Sequence, residues 1–316
     1  MERITKNKKY KEYLEKWIRY HSQFIKKSTY ASYLLIIQNH IIKDLGDYQI
    51  KDITNQILQE FTLKKLQNGK IKKDGGLSIE VVKDILAVIK LSLKFAIKKG
   101  LIRAFDMTID YPRAIQDKNL KIFSKKEQQL LSKYLLENIN HKNIGLLICL
   151  YCGIRIGELC ALQYKDINFS EKYLKIEKTL QRIYIKGEKT KIIITKPKTS
   201  SSIRKIPLSN FLLKELKKFK LENDIFVLTG TKKYTEPRTY REHYKKMLKN
   251  LNIKFRNFHS LRHTFASRCI ELNIDYKTVS ELLGHSSVNT TLNLYVHSNF
   301  SQKEKAINKL FDTYTK

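Results

Sequence analysis

The longest uninterrupted helical pattern in the chain does most to limit its fold. Ser78 opens the run SIEVVKDILAVIKLSLKFAIKKG, in which apolar residues return every three or four positions and neither Gly nor Pro intervenes before Gly100. Glu80 lies in its first turns, Lys98 and Lys99 in its last, and Gly100 at the stop, the order that the helix dipole and a glycine C-cap favour. A helix with so broad an apolar face must pack against others. Upstream, Tyr13, Leu14, Trp17 and Ile18 share one helical face. Ser28 or Thr29 is placed to cap a second helix through Tyr33, Leu34, Ile37 and Ile41 toward Gly46. Thr54 is placed to cap a third, carrying Ile57, Leu58 and Phe61 and ending before Asn68-Gly69. Residues 1–112 therefore read as a small helical bundle.

From 101 to 122 the period is lost, and Pro112 disfavours helix at Tyr111, so a linker falls here, with its boundaries placed at 113–122. Ser124 starts a second helical region, SKKEQQLLSKYLL, followed by NIGLLICLYCGIRIGELCALQ, which is apolar and interrupted at Gly153. Between 172 and 208 the pattern changes to short β-branched runs, KYLKIEK, QRIYIK, KTKIIIT and SIRKIPL, which read as strands. Helical pattern returns at 210–220 and continues through EPRTYREHYKKMLKNL, HSLRHTFASRCIEL and DYKTVSELLGH to a last amphipathic stretch, SQKEKAINKLFDTY. The expected fold is mostly α with a small β-sheet: a helical bundle at 1–112, then a mixed α/β domain at 123–316.

The formal net charge is +32, of which +10 falls in residues 1–112 and +22 in the remainder. An excess of that size repels itself in a compact state and is relieved by an acidic partner, for which nucleic acid is the leading candidate. Both parts are basic, so two lobes joined by a linker could close around a duplex. Cys149, Cys152 and Cys160 sit in one apolar segment and Cys269 far from it, which suits a reduced, intracellular protein better than a disulfide framework. The Cys149-x-x-Cys152 spacing has no second ligand pair beside it and reads as buried helix cysteines. The N-terminal residues lack an apolar signal region and no apolar stretch is long enough to span a membrane, so a cytoplasmic, nucleoid-associated protein is expected.

The chain has neither a G-x-x-x-x-G-K-[ST] loop nor a G-x-G-x-x-G, and no dense acidic set of the kind that holds paired Mg²⁺ ions. Phosphoryl chemistry on DNA would then fall to side chains: cations on the non-bridging oxygens, an in-line nucleophile, a group to take its proton, and another to protonate the leaving 5′ oxygen. The second half offers candidates. Arg155, in GIRIGEL, is either one half of an ion pair with Glu158 or a guanidinium that Glu158 holds toward a phosphate. His259 and Arg262, three apart in HSLRH, share the face of a helix start, where anions are favoured; capping and packing is the plainer role for the histidine. A zinc site on His259 and His263 lacks the intervening Glu and a third ligand. His285, in LLGH, follows the glycine that ends an apolar helix and reads as a C-cap histidine, and spacing alone does not single out Tyr295 among 18 tyrosines.

In order, however, the motifs are specific. GIRIGELCALQYKDI, TKPKTSSSIRKIPL, FHSLRHTFAS and LLGHSSVNTTLNLYVH resemble the boxes of the tyrosine recombinase (phage integrase) family, across the whole second half of the chain. The first half resembles that family only in kind, as a helical core-binding domain. The resemblance implies that Arg155 and Arg262 clamp the scissile phosphate, that His259 is the catalytic histidine three before the second arginine, that His285 contacts the same phosphate, that Glu158 positions the cluster and that Tyr295 forms a 3′-phosphotyrosyl bond. It places the general acid at Lys198, with Lys196 as the alternative on the same strand face; His263 and Tyr276 match no catalytic position. It further implies a metal- and ATP-independent reaction, a homodimer on each short, partly palindromic site of double-stranded DNA, a homotetrameric synapse and a Holliday-junction intermediate. The apolar stripe Ala306, Ile307, Leu310 and Phe311 of the last helix either packs on its own domain or, as the resemblance implies, docks into a neighbouring subunit. Core-binding character begins by residue 10, which favours a two-domain resolvase or invertase over an integrase with an additional arm-binding domain. Two rivals remain: a DNA-binding protein that kept the fold without catalysis, disfavoured because every motif position is filled, and a type IB topoisomerase-like nicking-closing enzyme.

Overall fold

The computed structural model describes residues 8–112, 122–184, 190–197, 200–220 and 222–295, and beyond them 304, 307, 308, 311 and 312. The chain divides into two compact units, Met1–Asp117 with Arg182–Ile192, and Lys118–Gln181 with Ile193–Lys316.

The first unit is helical. α1 (Tyr10–His21) buries Tyr10, Tyr13, Leu14, Trp17 and Ile18, the face predicted from the spacing. α2 (Lys27–Ile36) passes through a π-helical turn at Ile37–Ile41 into α3 (Ile42–Leu45), and α4 (Asn55–Asn68) and α5 (Ile79–Lys98) follow. Thr54 and Ser78 cap as expected, their side chains accepting from the N–H groups of Ile57 and Val81. Ser28 and Thr29 do not cap α2: the helix begins behind Lys26, whose side chain makes no cap hydrogen bond. Both residues sit inside the first turn, where the Ser28 carbonyl accepts from Ser32 Oγ at 3.0 Å. α5 is the centre of the core, and the buried α1 tyrosines reach it with satisfied hydroxyls. Tyr10 Oη lies 2.6 Å from Ser92 Oγ, and Tyr13 Oη donates to the Ser92 carbonyl at 2.6 Å.

The aperiodic stretch 101–112 is part of this unit rather than a free connector. Leu101, Ile102, Phe105, Met107, Ile109 and Tyr111 pack against the helical core. Gln59 fastens its far end, donating to the Asp110 carbonyl at 2.9 Å and accepting from the Asp110 N–H at 3.0 Å.

The second unit opens on a capping box, in which Ser124 and Glu127 each accept from the other's N–H. α6 (Lys125–Glu137), α7 (His141–Cys152) and α8 (Ile156–Ala161) follow. α7 is apolar nearly all round and accordingly buried. β1 (Ile167–Asn168), β2 (Tyr173–Ile176) and β5 (Arg204–Pro207) form an antiparallel sheet in the order β1-β2-β5, with Leu174 opposite Ile206 and Ile176 opposite Arg204. β3 (Thr179–Ile183) and β4 (Lys191–Thr195) form a separate two-stranded sheet. The remaining helices are α9 (Asn210–Lys218), α10 (Pro237–Asn250), α11 (His259–Glu271), α12 (Tyr276–Leu283) and α13 (Val288–Tyr295). The architecture is mostly helical with small sheets, as the sequence predicts. No described helix is long and apolar enough to cross a membrane.

Candidate active site

The site is hung on the turn that ends α7. Gly153 is left-handed (φ 63°), and a Cβ added there would lie 2.5 Å from Phe265 Cδ1 and 2.9 Å from Leu283 Cδ2. Only glycine fits both the backbone and the space. Two residues on, Arg155 is the N-cap of α8. Its N–H donates to Glu158 Oε2 at 2.9 Å and its Nη1 to Glu158 Oε1 at 2.9 Å. Arg155 thus pairs with Glu158, and its side chain stays 37% exposed against 4% for Glu158.

Arg262 enters from α11 and is 2% exposed. Its Nη1 donates to the Gly153 carbonyl at 2.8 Å and its Nη2 to the Leu283 carbonyl at 2.6 Å. α11 begins at His259, as the motif predicts, and Asn257 Oδ1 accepts from the Ser260 N–H at 3.1 Å in that first turn. The rings of His259 and His263 meet edge to face, centroids 4.5 Å apart.

The Leu-Leu-Gly-His segment is the third wall. α12 stops at Leu283, and Gly284 takes the left-handed C-cap conformation (φ 64°). The Gly284 carbonyl accepts from Arg155 Nη2 at 3.3 Å. His285 comes next, and its Nδ1 lies 2.8 Å from Oγ1 of the buried Thr291 on α13.

Arg204 joins this group although nothing in the motif reading singled it out. It occupies an inward position of β5 beside Ile206 and is 8% exposed. Its Nη1 and Nη2 donate to Glu158 Oε1 and Oε2 at 3.2 and 2.9 Å, and its Nε to the Leu282 carbonyl at 2.6 Å. The consecutive carbonyls of Leu282, Leu283 and Gly284 therefore each take a different arginine. They are acceptors that a helix C-terminus leaves without intrahelical donors, at the negative end of its dipole. Strand alternation held a signal for Arg204, because a charge in register with Ile206 and Leu208 points inward.

The electrostatics follow from this crowding of cations. Burial pushes the Glu158 carboxyl up, but the Arg204 hydrogen bonds and charge, with Arg155, outweigh it and hold the group below its ordinary range. Desolvation and then the charges of His263, Arg262 and Arg155 lower His259 to about 4. Desolvation and then Arg262, Arg155 and Arg204 lower His285 to about 4. Both imidazoles are neutral at pH 7 in the DNA-free protein.

Of the expected residues, then, Arg155, Glu158, His259, Arg262 and His285 come together in the second unit. Tyr295 is the last residue of α13, and its side chain lies outside the described part. Lys198 lies outside the described residues altogether. Lys196 is exposed, and its charge acts on Glu177. The cysteines are buried, with burial pushing the Cys152 and Cys160 thiols up to about 12. Among the described residues no group of three or more His, Cys, Asp or Glu side chains is arranged to hold a metal ion.

A cluster of guanidiniums fixed by backbone carbonyls, with two neutral imidazoles beside it, is suited to hold a phosphate while protons move. The phage integrase family model matches residues 121–302, and a phage integrase N-terminal SAM-like domain model matches residues 9–66. The chain belongs to the phage integrase family. It is a tyrosine recombinase, an enzyme of site-specific recombination. It is 29% identical to a XerC-like tyrosine recombinase of Caldanaerobacter subterraneus subsp. tengcongensis over 92% of this chain and 79% of that one. It is 30% identical to a tyrosine recombinase of Thermosipho africanus over 83% of this chain and 86% of that one. Its fold matches the Tn1549 transposon integrase, solved in complex with transposon right end DNA, at a TM-score of 0.77 and 21% identity, over 96% of this chain and 99% of that one.

Proposed function

We propose that this recombinase cuts DNA with Tyr295 while Arg155, Arg262, His259 and His285 hold the scissile phosphate. The observation that carries the reading is the convergence of Arg155 and Arg262 on neighbouring carbonyls at the end of α12, one residue before His285. Two guanidiniums supply the donors that a pentavalent phosphate needs. A tyrosine hydroxyl attacks phosphorus, and its proton passes to a base; His259, neutral at pH 7, is able to take it. The bond to the 5′ oxygen breaks, Lys198 protonates that oxygen, and the 3′ end is left joined to the tyrosine. The phosphotyrosyl ester conserves the bond, so a 5′ hydroxyl from another strand rejoins the backbone without ATP.

Double-stranded DNA is the partner this reading requires, and the charges of +10 on residues 1–112 and +22 on the remainder supply affinity for its backbone. Residues 1–112 serve as the core-binding domain, 113–122 as the linker and 123–316 as the catalytic domain. The reading extends to a dimer on each site and a tetramer in the synapse, with the stretch after Ser301 docking on a neighbouring subunit. In that stretch Ile307 and Phe311 are 65% and 66% exposed, while Ala306 and Leu310 lie outside the described residues.

The test is a nicked suicide site, on which a cleaved strand cannot be resealed. Tyr295→Phe is expected to bind this DNA as the wild type does and to form no covalent adduct. An adduct formed by that variant would remove Tyr295 from the role.

A further inference from the structure

Arg204 is not one of the groups assigned to the phosphate, and no ordinary role in a β-strand accounts for it. It is 8% exposed, and its guanidinium is used on both edges. Nη1 and Nη2 close on the two oxygens of Glu158, Nε takes the Leu282 carbonyl, and Nη1 also reaches the Ser202 carbonyl at 3.2 Å. The packing around it leaves no slack. A Cβ at Gly284 would lie 3.0 Å from Arg204 Cδ and 3.0 Å from the Ser201 carbonyl oxygen. One side chain therefore links the three segments that carry the site: α8 through Glu158, the end of α12 through Leu282, and the chain leading into β5 through Ser202.

We infer that Arg204 is a positioning residue for recombination: it locks Glu158 to the end of α12, so that Arg155 and His285 are held in register before DNA arrives. This rests on the phosphotyrosyl reading above. Arg155 takes its orientation from two contacts, Glu158 and the Gly284 carbonyl, and Arg204 bonds directly to Glu158 and to Leu282, two residues before Gly284. Without it, Glu158 holds Arg155 from one side only and the end of α12 loses one of its three arginine anchors. Lysine is no substitute, since a single ammonium does not span a carboxylate and a carbonyl in this fixed geometry.

Removal also changes the charge on Glu158. Among the described residues, the groups whose charge couples to that carboxyl are Arg155 at the start of α8, Arg204 on β5, His259 on α11 and Cys149 on α7. Burial is the largest influence and favours the neutral acid, while Arg204 is the leading one against it. A folded-state pKa held down by Arg204 rises when Arg204 goes, so Glu158 becomes protonated as the pH falls and releases Arg155.

The experiment measures single-turnover adduct formation on the nicked site at saturating DNA, across pH, for the wild type, Arg204→Lys and Arg204→Gln. Half-site binding and circular dichroism are recorded alongside. A misplacement of about 1 Å in a reacting cluster costs about a hundredfold in rate, and Arg204→Gln is expected to lose that much with half-site affinity unchanged. Its rate is expected to fall further on the acid side and to recover partly toward high pH, where Glu158 is again ionised. Arg204→Lys keeps the charge, so it is expected to be slow with the pH profile of the wild type. Should Arg204→Gln fail to fold, Glu158→Gln combined with Arg204→Gln removes both buried charges and is expected to be slow at every pH. Wild-type rates in the folded Arg204 variants, or in the pair, would overturn the assignment. A wild-type chain that itself formed no adduct would overturn the phosphotyrosyl reading, and the role of Arg204 with it.

Discussion

Replacing Gly153 by alanine tests whether the turn at the end of α7 is what holds the site together. Two costs add. A left-handed backbone costs an L-residue about 1–2 kcal/mol. The new methyl, 2.5 Å from Phe265 Cδ1 and 2.9 Å from Leu283 Cδ2, overpacks a filled space at about 1–3 kcal/mol. The reduced freedom of the unfolded chain offsets about 0.4–1 kcal/mol. The net expectation is a loss of about 1–5 kcal/mol, against roughly 5–15 kcal/mol for a whole domain. Gly100 is the internal control: its φ is also positive (66°), but nothing lies within 4 Å of an added Cβ. Gly100→Ala carries only the backbone cost, less the same offset, and should lose at most about 1.5 kcal/mol. Urea unfolding followed by circular dichroism measures both. Phe265→Ala sharpens the test, because it opens the space the methyl needs. In that background Gly153→Ala should lose only its backbone cost, a non-additivity of about 1–3 kcal/mol. Adduct formation by the folded variant should also slow, since the Gly153 carbonyl anchors Arg262. Equal losses at Gly153 and Gly100, or strict additivity with Phe265→Ala, would refute the packing argument.

The remaining predictions concern proton movement and assembly. Lys198→Ala should regain cleavage on a substrate with a 5′-bridging sulfur, whose leaving group needs no proton, and rescue of Lys196→Ala instead would move the general acid to Lys196. His259 and His285 sit at about 4 in the free protein. Bound phosphate raises both toward the ordinary histidine range, so binding takes up protons and tightens as pH falls from 7 toward about 5. Calorimetry near pH 6 in two buffers of different ionisation enthalpy should give different heats, and identical heats would exclude the coupling. Deleting residues 302–316 should spare half-site binding but weaken cooperative occupancy and recombination; undiminished recombination would end the docking proposal.

The caps that were legible in the sequence were those whose partners are local. Thr54, Ser78 and Ser124 each bond a backbone N–H three residues on, so a short window contains the whole interaction. Ser28 and Thr29 look the same in such a window, but α2 begins behind Lys26, and the choice between adjacent starts is not written in side-chain type alone. The stretch 101–112 fell within the boundary drawn for the bundle, but its packing was not visible, because chain laid on a helical core obeys no period; its anchor, Gln59, is 51 residues from Asp110. β1 is two residues long and exists through pairing with Tyr173 and Leu174. At the site, Arg155 and Glu158 were legible as a local pair, whereas Arg204 is 46 residues from Glu158. Its inward register was visible in SIRKIPL, but the acid that makes such a charge tolerable was not.

The arrangement of charge bears on how the enzyme divides its binding energy between holding DNA and accelerating the reaction. Arg155, Arg204 and Arg262 bring three positive charges to one turn of backbone, and Glu158 answers only one of them. The excess is felt in the free protein, where it joins desolvation in lowering His259 and His285. In the role proposed for this cluster, a bound phosphodiester relieves part of that repulsion. The pentavalent transition state concentrates more negative charge on the same oxygens and relieves more of it. The interaction is therefore stronger at the transition state than in the ground state, the condition for raising rate and not only affinity. Because the guanidiniums are already fixed by the carbonyls of Gly153, Leu282, Leu283 and Gly284, little reorganisation is needed when that charge develops. The same field holds both histidines low in the free protein. Even when bound phosphate raises them toward the ordinary histidine range they therefore stay mostly neutral at pH 7, and on the proposed reading His259 is then an acceptor for the tyrosine proton.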